Sequence, residues 1–228
     1  MFVRGRAAEP LDPEVVEALS KVQTSTLGHL RDYGFPKGLT PIRRPLSFVG
    51  PAFTVRLPHL DSTALHVAAD ELRPGDVLVV DQSGDTRSCF GGMVSFTAAT
   101  RGAVGAVISG AINDVGEILE LGLPVFSAGV SALTTRILGI EGAINVPVTV
   151  GGAVVNPGDV VFGDSDGIAV LAREEALEIA AILRDKESAE PQLRRKISEG
   201  TRLSEWSGAL AAFEGKLDAS SLDASSVR

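Results

Sequence analysis

The sequence predicts an α/β protein built on a mixed sheet with some parallel pairing. Three observations carry that expectation. Between residues 91 and 149, short helical segments alternate with apolar runs at the spacing of βαβ units. The run Val77-Leu78-Val79-Val80 is continuously apolar up to Asp81, as in a strand covered on both faces. From 150 to 171 the pattern turns wholly β, punctuated by the turns Asn156-Pro157-Gly158-Asp159 and Asp164-Ser165-Asp166-Gly167.

The elements follow in chain order. Residues 13–33 carry an apolar face at helical spacing: Val15, Val16, Leu19, Val22, Leu27 and Leu30. Asp12 suits the N-cap and Pro13 the first turn. Thr24-Ser25-Thr26 offers an interruption able to cap a second segment, and Gly34 and Pro36 are expected to end the helix. Residues 48–57 read as a bent strand or strand pair, and 62–72 as a short helix. Pro74-Gly75-Asp76 is the turn into the strand at 77–81. Helix is expected at 92–100, buried strand at 103–108, helix at 114–121 and strand at 124–126. A further strand-like run ends at Val148-Thr149-Val150, and strands are expected at 154–155, 160–162 and 168–171. Helix returns from Glu174 to about Glu187. A second amphipathic helix, from Leu193 to Leu217, carries Trp206 and Phe213 and breaks near Gly200. These boundaries divide the chain into one domain over 1–190, a helical extension over 191–217, and a polar, Ser-rich tail over 218–228 of disordered composition. Pro74-Gly75-Asp76-Val77 and Pro157-Gly158-Asp159-Val160 echo each other, which reads as repeated turn chemistry.

Composition excludes several functions. A net charge of −8 over 228 residues disfavours nucleic acid and anionic membrane as partners, since both need a basic surface. No apolar run reaches the roughly 18–20 residues that span a bilayer. Met1-Phe2-Val3-Arg4-Gly5-Arg6 lacks the apolar core of a signal peptide. The single cysteine, Cys89, has no internal disulfide partner, so the expected compartment is a reducing cytoplasm.

The chemistry concentrates between Gly91 and Glu117. Gly91 and Gly92 open a helix whose free N–H groups and positive dipole end suit an anion, a carboxylate as well as a phosphate. Asp114 and Glu117 stand three residues apart just after a buried strand. At the carboxyl end of a strand, two hard oxygen donors suit Mg²⁺ or Mn²⁺. Each feature alone also has a plain structural explanation, a tight turn for the glycines and helix capping for the carboxylates.

Gly92, twenty intervening residues, Asn113-Asp114, two residues and Glu117 together resemble the pattern Gly-x20-Arg-Asp-x2-Glu/Asp. That pattern belongs to the family of 4-hydroxy-4-methyl-2-oxoglutarate aldolases and the regulator of ribonuclease activity A. The resemblance covers about residues 15–200. It includes Gly50-Pro51-Ala52-Phe53-Thr54-Val55, Arg101-Gly102-Ala103-Val104-Gly105-Ala106-Val107-Ile108 and Leu121-Gly122-Leu123-Pro124-Val125-Phe126. It implies a swivelling β/β/α fold, a homotrimer or hexamer with sites at subunit interfaces, and a small 2-oxo acid substrate. By the same resemblance, Gly91, Gly92, Met93 and Val94 bind the substrate carboxylate through backbone N–H groups, Asp114 and Glu117 hold a divalent cation, Mg²⁺ or Mn²⁺, and residue 113 meets the keto oxygen as it becomes an enolate. Aldol cleavage and oxaloacetate decarboxylation share that enolate, so active members are expected to do both. Some members carry a menaquinone methyltransferase label, but no glycine-rich loop follows the first strand as a nucleotide-type cofactor requires.

This chain departs from the pattern at Asn113, which stands where active members carry Arg. Losing a charged donor at a developing oxyanion costs about 2–4 kcal/mol, or a hundred- to thousandfold in rate. Arg87, Arg101 and Arg136 are candidates for a replacement cation. Three readings follow: a metal-dependent lyase, a non-catalytic oligomeric binder like the ribonuclease regulator, and an enzyme of changed specificity. The remaining candidates read as structural. His29, His59 and His66 lack metal spacing, Cys89 has no evident base, Asp164 and Asp166 suit Asx turns, and Trp206 suits an anchor onto a neighbouring surface.

Overall fold

Alternate burial explains the architecture. The structure, a computed structural model, describes residues 1–215. The expected tail at 218–228 and the far end of the expected helix at Leu217 lie outside these residues. The chain runs β1 (Phe2–Arg4), α1 (Pro13–Leu19), α2 (Thr24–Leu27), β2 (Thr40–Pro41), β3 (Phe48–Arg56), α3 (Thr63–Glu71), β4 (Val77–Asp81), β5 (Ser88–Phe90), α4 (Gly92–Thr100), β6 (Gly105–Ile112) and α5 (Val115–Leu121). It continues through β7 (Val125–Val130), β8 (Gly142–Ile144), β9 (Val148–Val150), β10 (Ala153–Val155), β11 (Val160–Gly163) and β12 (Ile168–Leu171) to α6 (Ala176–Ser188), α7 (Glu190–Ser198), α8 (Leu203–Trp206) and α9 (Ala209–Phe213).

The main sheet is mixed and runs β1-β8-β3-β4-β6-β7-β2. Its centre, β3-β4-β6-β7, is parallel, while β8 runs antiparallel to β3 and β2 antiparallel to β7. In β4, Leu78 and Val80 face one apolar cluster with α3 and α4 side chains, whereas Val77 and Val79 face another with Val148, Val150 and Val155 of the β9–β10 hairpin. Burial on both faces is why this strand reads as an unbroken apolar run.

β3 is one continuous strand with two sets of partners. Residues 48–51 pair antiparallel with β11, and residues 52–56 pair parallel with β4. β11 pairs onward with β12, and this ribbon alternates: Val161, Ile168 and Val170 face the sheet core, while Val160, Phe162, Ala169 and Leu171 face α1 and α6.

The helix expected at 13–33 is two short helices. Asp12 caps α1 by accepting from the Glu14 N–H at 2.9 Å, as its position foretells. α1 then ends at Leu19, and α2 ends at Leu27 rather than at Gly34. The break is held from outside: Asp164 accepts from the Thr24 N–H at 2.8 Å and its hydroxyl at 2.7 Å, and Glu187 accepts from the Gln23 N–H at 2.8 Å. Asp164 also accepts from the Asp166 N–H at 2.9 Å, which makes the expected Asx turn. The two Pro-Gly-Asp turns share one bond: Asp76 accepts from the Arg73 N–H and Asp159 from the Asn156 N–H, each at 2.8 Å. No side chain of α7, α8 or α9 is buried, and Trp206 is 57% exposed.

Candidate functional site

The site forms where β6 changes neighbours. β4 pairs with Gly105 to Ile108, a bulge follows at Ser109 and Gly110, and β5 then pairs with Ala111 and Ile112. Gln82 sits at the junction, its N–H donating to Ser109 Oγ at 2.8 Å. A Cβ on Gly110 would lie 1.7 Å from Gln82 Oε1, so glycine is required there by close approach. The bulge leaves β5 and the end of β6 side by side, and α4 and α5 leave from those ends. Ligands of open α/β sheets collect at such carboxyl ends.

α4 begins at Gly92 with Gly91 as its N-cap. Gly91 has an extended backbone that any residue adopts (φ −124°), so the glycine pair answers a different demand from the tight turn that sequence alone allows. A Cβ on Gly91 would lie 2.6 Å from Asn113 Oδ1 and 2.8 Å from Asp114 Oδ2. One on Gly92 would lie 2.0 Å from Glu117 Oε2 and 3.4 Å from Asp114 Oδ2. The glycines are bare because Asn113, Asp114 and Glu117 crowd against them.

Asp114 was expected as the first residue of the helix at 114–121. It is instead the N-cap, in a left-handed conformation (φ 54°) that only a minority of non-glycine residues adopt. The reversal there turns its carboxylate back to the start of α4, where Oδ2 accepts from the Gly92 N–H at 2.8 Å. The Met93 and Val94 N–H groups find no acceptor among the described residues. Glu117 approaches the same point from the first turn of α5. Asn113 is held by Ser88, whose hydroxyl donates to Asn113 Oδ1, and by its own N–H donating to Phe90 O at 3.1 Å.

These residues form one wall of an open cleft of about 490 Å³, within the ~300–1,000 Å³ range of small-molecule sites. Gly91, Gly92, Met93, Val94, Asn113 and Asp114 line it, and Glu117 lies behind Gly92. The cleft is also lined by Ser62, His66 and the segment Thr134, Thr135, Arg136 and Ile137, which runs beside Ser88. His66, expected to be structural like the other histidines, lines the cleft from α3, a placement that its distance in sequence from residue 113 hides. His29 and His59 are exposed and do not line the cleft. Cys89 lines it too, but burial pushes its thiol up to about 12, so it carries no thiolate.

Of the candidate arginines, only Arg136 lines the cleft. Arg87 pairs with Asp85 at 3.0 Å, and Arg101 caps the opposite end of α4 and reaches Asp70 at 3.7 Å.

The acidic donors here are the carboxylates of Asp114 and Glu117. Among the described residues no group of three or more His, Cys, Asp or Glu side chains comes together. That set does not match a closed zinc site. It does fit a hard cation that keeps water and ligand oxygens in its other positions, as Mg²⁺ does. No described helix is long and apolar enough to cross a membrane.

Comparison with known proteins places the chain in a family. A Halalkalibacterium halodurans protein named "Putative 4-hydroxy-4-methyl-2-oxoglutarate aldolase" is 35% identical over 162 residues, 71% of this chain and 77% of that one. The crystal structure of Streptomyces coelicolor RraAS2, described as an unusual member of the RNase ES inhibitor RraA family, superposes with a TM-score of 0.74 at 32% identity. It covers 82% of this chain and 98% of its own. The RNA-processing inhibitor RraA from Thermus thermophilis gives 0.60 at 27% identity, over 66% of this chain and 92% of its own. The sequence model of the RraA-like family, described as Aldolase/RraA, matches residues 13–170, and the chain belongs to that family.

Proposed function

We propose that this chain is a divalent-cation-dependent lyase that releases pyruvate from a 4-hydroxy-2-oxo acid, and that it also decarboxylates oxaloacetate. The observation that carries the reading is the convergence of Gly91, Gly92, Asn113, Asp114 and Glu117 on one end of α4. A family whose relatives bear aldolase names supports the reaction class.

Both reactions break the C3–C4 bond of a 2-oxo acid and send its electron pair to the C2 oxygen, leaving the enolate of pyruvate. In decarboxylation the other product is CO₂, and a solvent proton at C3 completes pyruvate. In aldol cleavage the C4 hydroxyl also surrenders a proton. The Met93 and Val94 N–H groups at the positive end of α4 hold the substrate carboxylate. Asp114 and Glu117 would hold the cation, which when bound acts as a Lewis acid toward the substrate oxygens. Asn113, held at its oxygen by Ser88, keeps an amide N–H₂ to offer the C2 oxygen.

The test is pyruvate release from oxaloacetate and from 4-hydroxy-4-methyl-2-oxoglutarate, with Mg²⁺ or Mn²⁺ and with chelator. Cation-dependent release supports the reading, and no release from either substrate ends it. A second reading has its own observation, the neutral residue at 113. Under it the chain is a non-catalytic oligomeric binder, as the inhibitor names of two structural relatives suggest. A stable protein partner with no pyruvate release would favour it. A third, changed substrate specificity, would show as a melting shift with another 2-oxo or hydroxy acid. Assembly as a trimer or hexamer in the cytoplasm belongs to the same proposal, and sedimentation would read the stoichiometry.

A further inference from the structure

The cleft has a charge problem. Its first wall carries Asp114 and Glu117, and the proposed substrate is itself an anion that becomes more negative at one oxygen as the bond breaks. A single divalent cation does no more than balance the two carboxylates. Further positive charge has to come from the rest of the lining, where, among the described residues, Arg136 is the arginine.

Three observations place that guanidinium for the task. First, among the described residues no carboxylate lies within ion-pair distance of it, in contrast to Arg87 and Arg101. Second, it is anchored through one nitrogen. Nη1 donates to Thr134 O at 2.9 Å, Thr134 Oγ1 at 2.8 Å and Thr135 O at 3.0 Å. Nε and Nη2 take no acceptor among the described residues, so one edge of the donor fork stays open to a ligand. Third, the segment that carries it is tied to the residue that holds Asn113. The Ser88 N–H donates to Leu133 O at 2.8 Å, and Ser88 O accepts from the Thr135 N–H at 2.9 Å, while the Ser88 hydroxyl grips Asn113. The Arg136 backbone is bonded on both sides, its N–H to Leu60 O and its carbonyl to the Ser62 N–H, each at 2.8 Å. The guanidinium curls over Thr134, the residue that bridges to Ser88.

We propose that Arg136 supplies the positive charge that meets the C2 oxygen of the substrate as it becomes an enolate, with Asn113 a neutral co-donor. The role rests on the lyase reading above. It makes Arg136 a catalytic residue in a chain whose residue 113 cannot carry charge.

The experiment uses the full chain with Arg136→Met, Arg136→Lys and the double variant Arg136→Met/Asn113→Arg. Because Arg136 is exposed, its side chain bonds only Thr134 and Thr135 of its own segment, and its backbone bonds survive substitution, the variants are expected to melt within a few degrees of the parent. Two readouts are taken: kcat and KM for oxaloacetate with Mg²⁺, and calorimetric binding of oxalate, an enolate mimic, with and without Mg²⁺. Arg136→Met is expected to lower kcat about a hundred- to thousandfold with little change in KM, as for loss of an oxyanion donor. It should also weaken oxalate binding at least tenfold both with and without Mg²⁺. Lys should restore part of each, and the added Arg at 113 should restore kcat. A kcat and an oxalate affinity both within twofold of the parent would overturn the role of Arg136 while leaving the lyase standing. Oxalate binding that depends on Arg136 in a protein releasing no pyruvate would instead overturn the lyase reading and keep the cation. A parent chain that neither binds oxalate nor releases pyruvate would remove both.

Discussion

Two aspartates, Asp61 in the support beneath the cleft-lining segment at 134–137 and Asp114 in the cleft lining itself, stand in opposite states. Asp61 is 3% exposed and spends its oxygens on the fold. It accepts from the Thr63 N–H at 3.0 Å and hydroxyl at 2.5 Å, from the Leu138 N–H at 3.1 Å, and from the Ile140 and Glu141 N–H groups at 2.7 and 3.1 Å. Burial alone would raise its pKa, but these donors outweigh it and hold the carboxyl well below the usual range. Asp114 is exposed, and among the described residues its carboxylate accepts from the Gly92 N–H alone. The difference separates a carboxylate that builds the wall from one with capacity left for a ligand. Asp61 ties down residues 138–141 and the turn at 61–63, and so fixes the segment that presents Arg136. Asp114, in its left-handed conformation, is turned toward the cleft.

That contrast can be broken from either side. The largest effect is expected at Asp114: Asp114→Ala should lower pyruvate release by about a thousandfold, roughly 4 kcal/mol of barrier, with a melting temperature within a few degrees of the parent. A variant that keeps full activity would show that Asp114 does no more than cap α4. Asp61→Ala should do the reverse, costing about 2–3 kcal/mol of stability through the backbone donors it strands. Chemical unfolding measures it, and a cost below 0.5 kcal/mol would refute the anchor.

The two sites also separate with pH. A carboxyl held low in the fold stabilises above its unfolded pKa of about 3.9 and loses that contribution as pH falls through the folded value. The stability gap between parent and Asp61→Asn should therefore be full at neutral pH and shrink below about pH 4. A gap independent of pH would mean the bonds do not depend on charge.

Gly92→Ala sharpens the comparison further. Its Cβ meets the tip of Glu117, a flexible chain that can swing away, and Ala favours helix over Gly by about 1 kcal/mol. Stability should hold or rise slightly while Mg²⁺ binding, read by calorimetry, weakens about tenfold. Unchanged binding would remove Glu117 from the cation site. The smallest effect is at Cys89, where a thiol pushed up to about 12 should resist alkylation at pH 8 in the native protein and react only after unfolding.

Much of this was legible in the sequence where the cause is local. β4 declares its burial on both faces, Asp12 its cap, and the Pro-Gly-Asp turns their shared bond. The spacing of Gly92, Asp114 and Glu117 marked residues that the fold does bring together. What stayed hidden depends on distant partners. The break between α1 and α2 is held by Asp164 and Glu187, more than 130 residues away. The short strands β1, β5 and β8 carry too few residues for a period and exist because neighbours supply a ladder. The left-handed turn at Asp114 and the placing of His66 and Arg136 in the same cleft as residue 113 follow from packing, which no local pattern encodes.

The shared strand β3 has a consequence for how the molecule is made. Its first half pairs with β11, Phe48 opposite Gly163, and its last residues with β8, Arg56 opposite Ala143. A ribosome that has released every residue of the glycine and carboxylate corner has therefore not yet delivered either flanking partner. The nascent chain holds the parallel ladder with an open edge on β3 for some 50 residues of further synthesis, several seconds at ~5–20 residues per second. Ladders closed so late are slow and exposed to misassembly. This places the protein's vulnerability to aggregation during translation at Phe48–Arg56, well before its active corner in the chain.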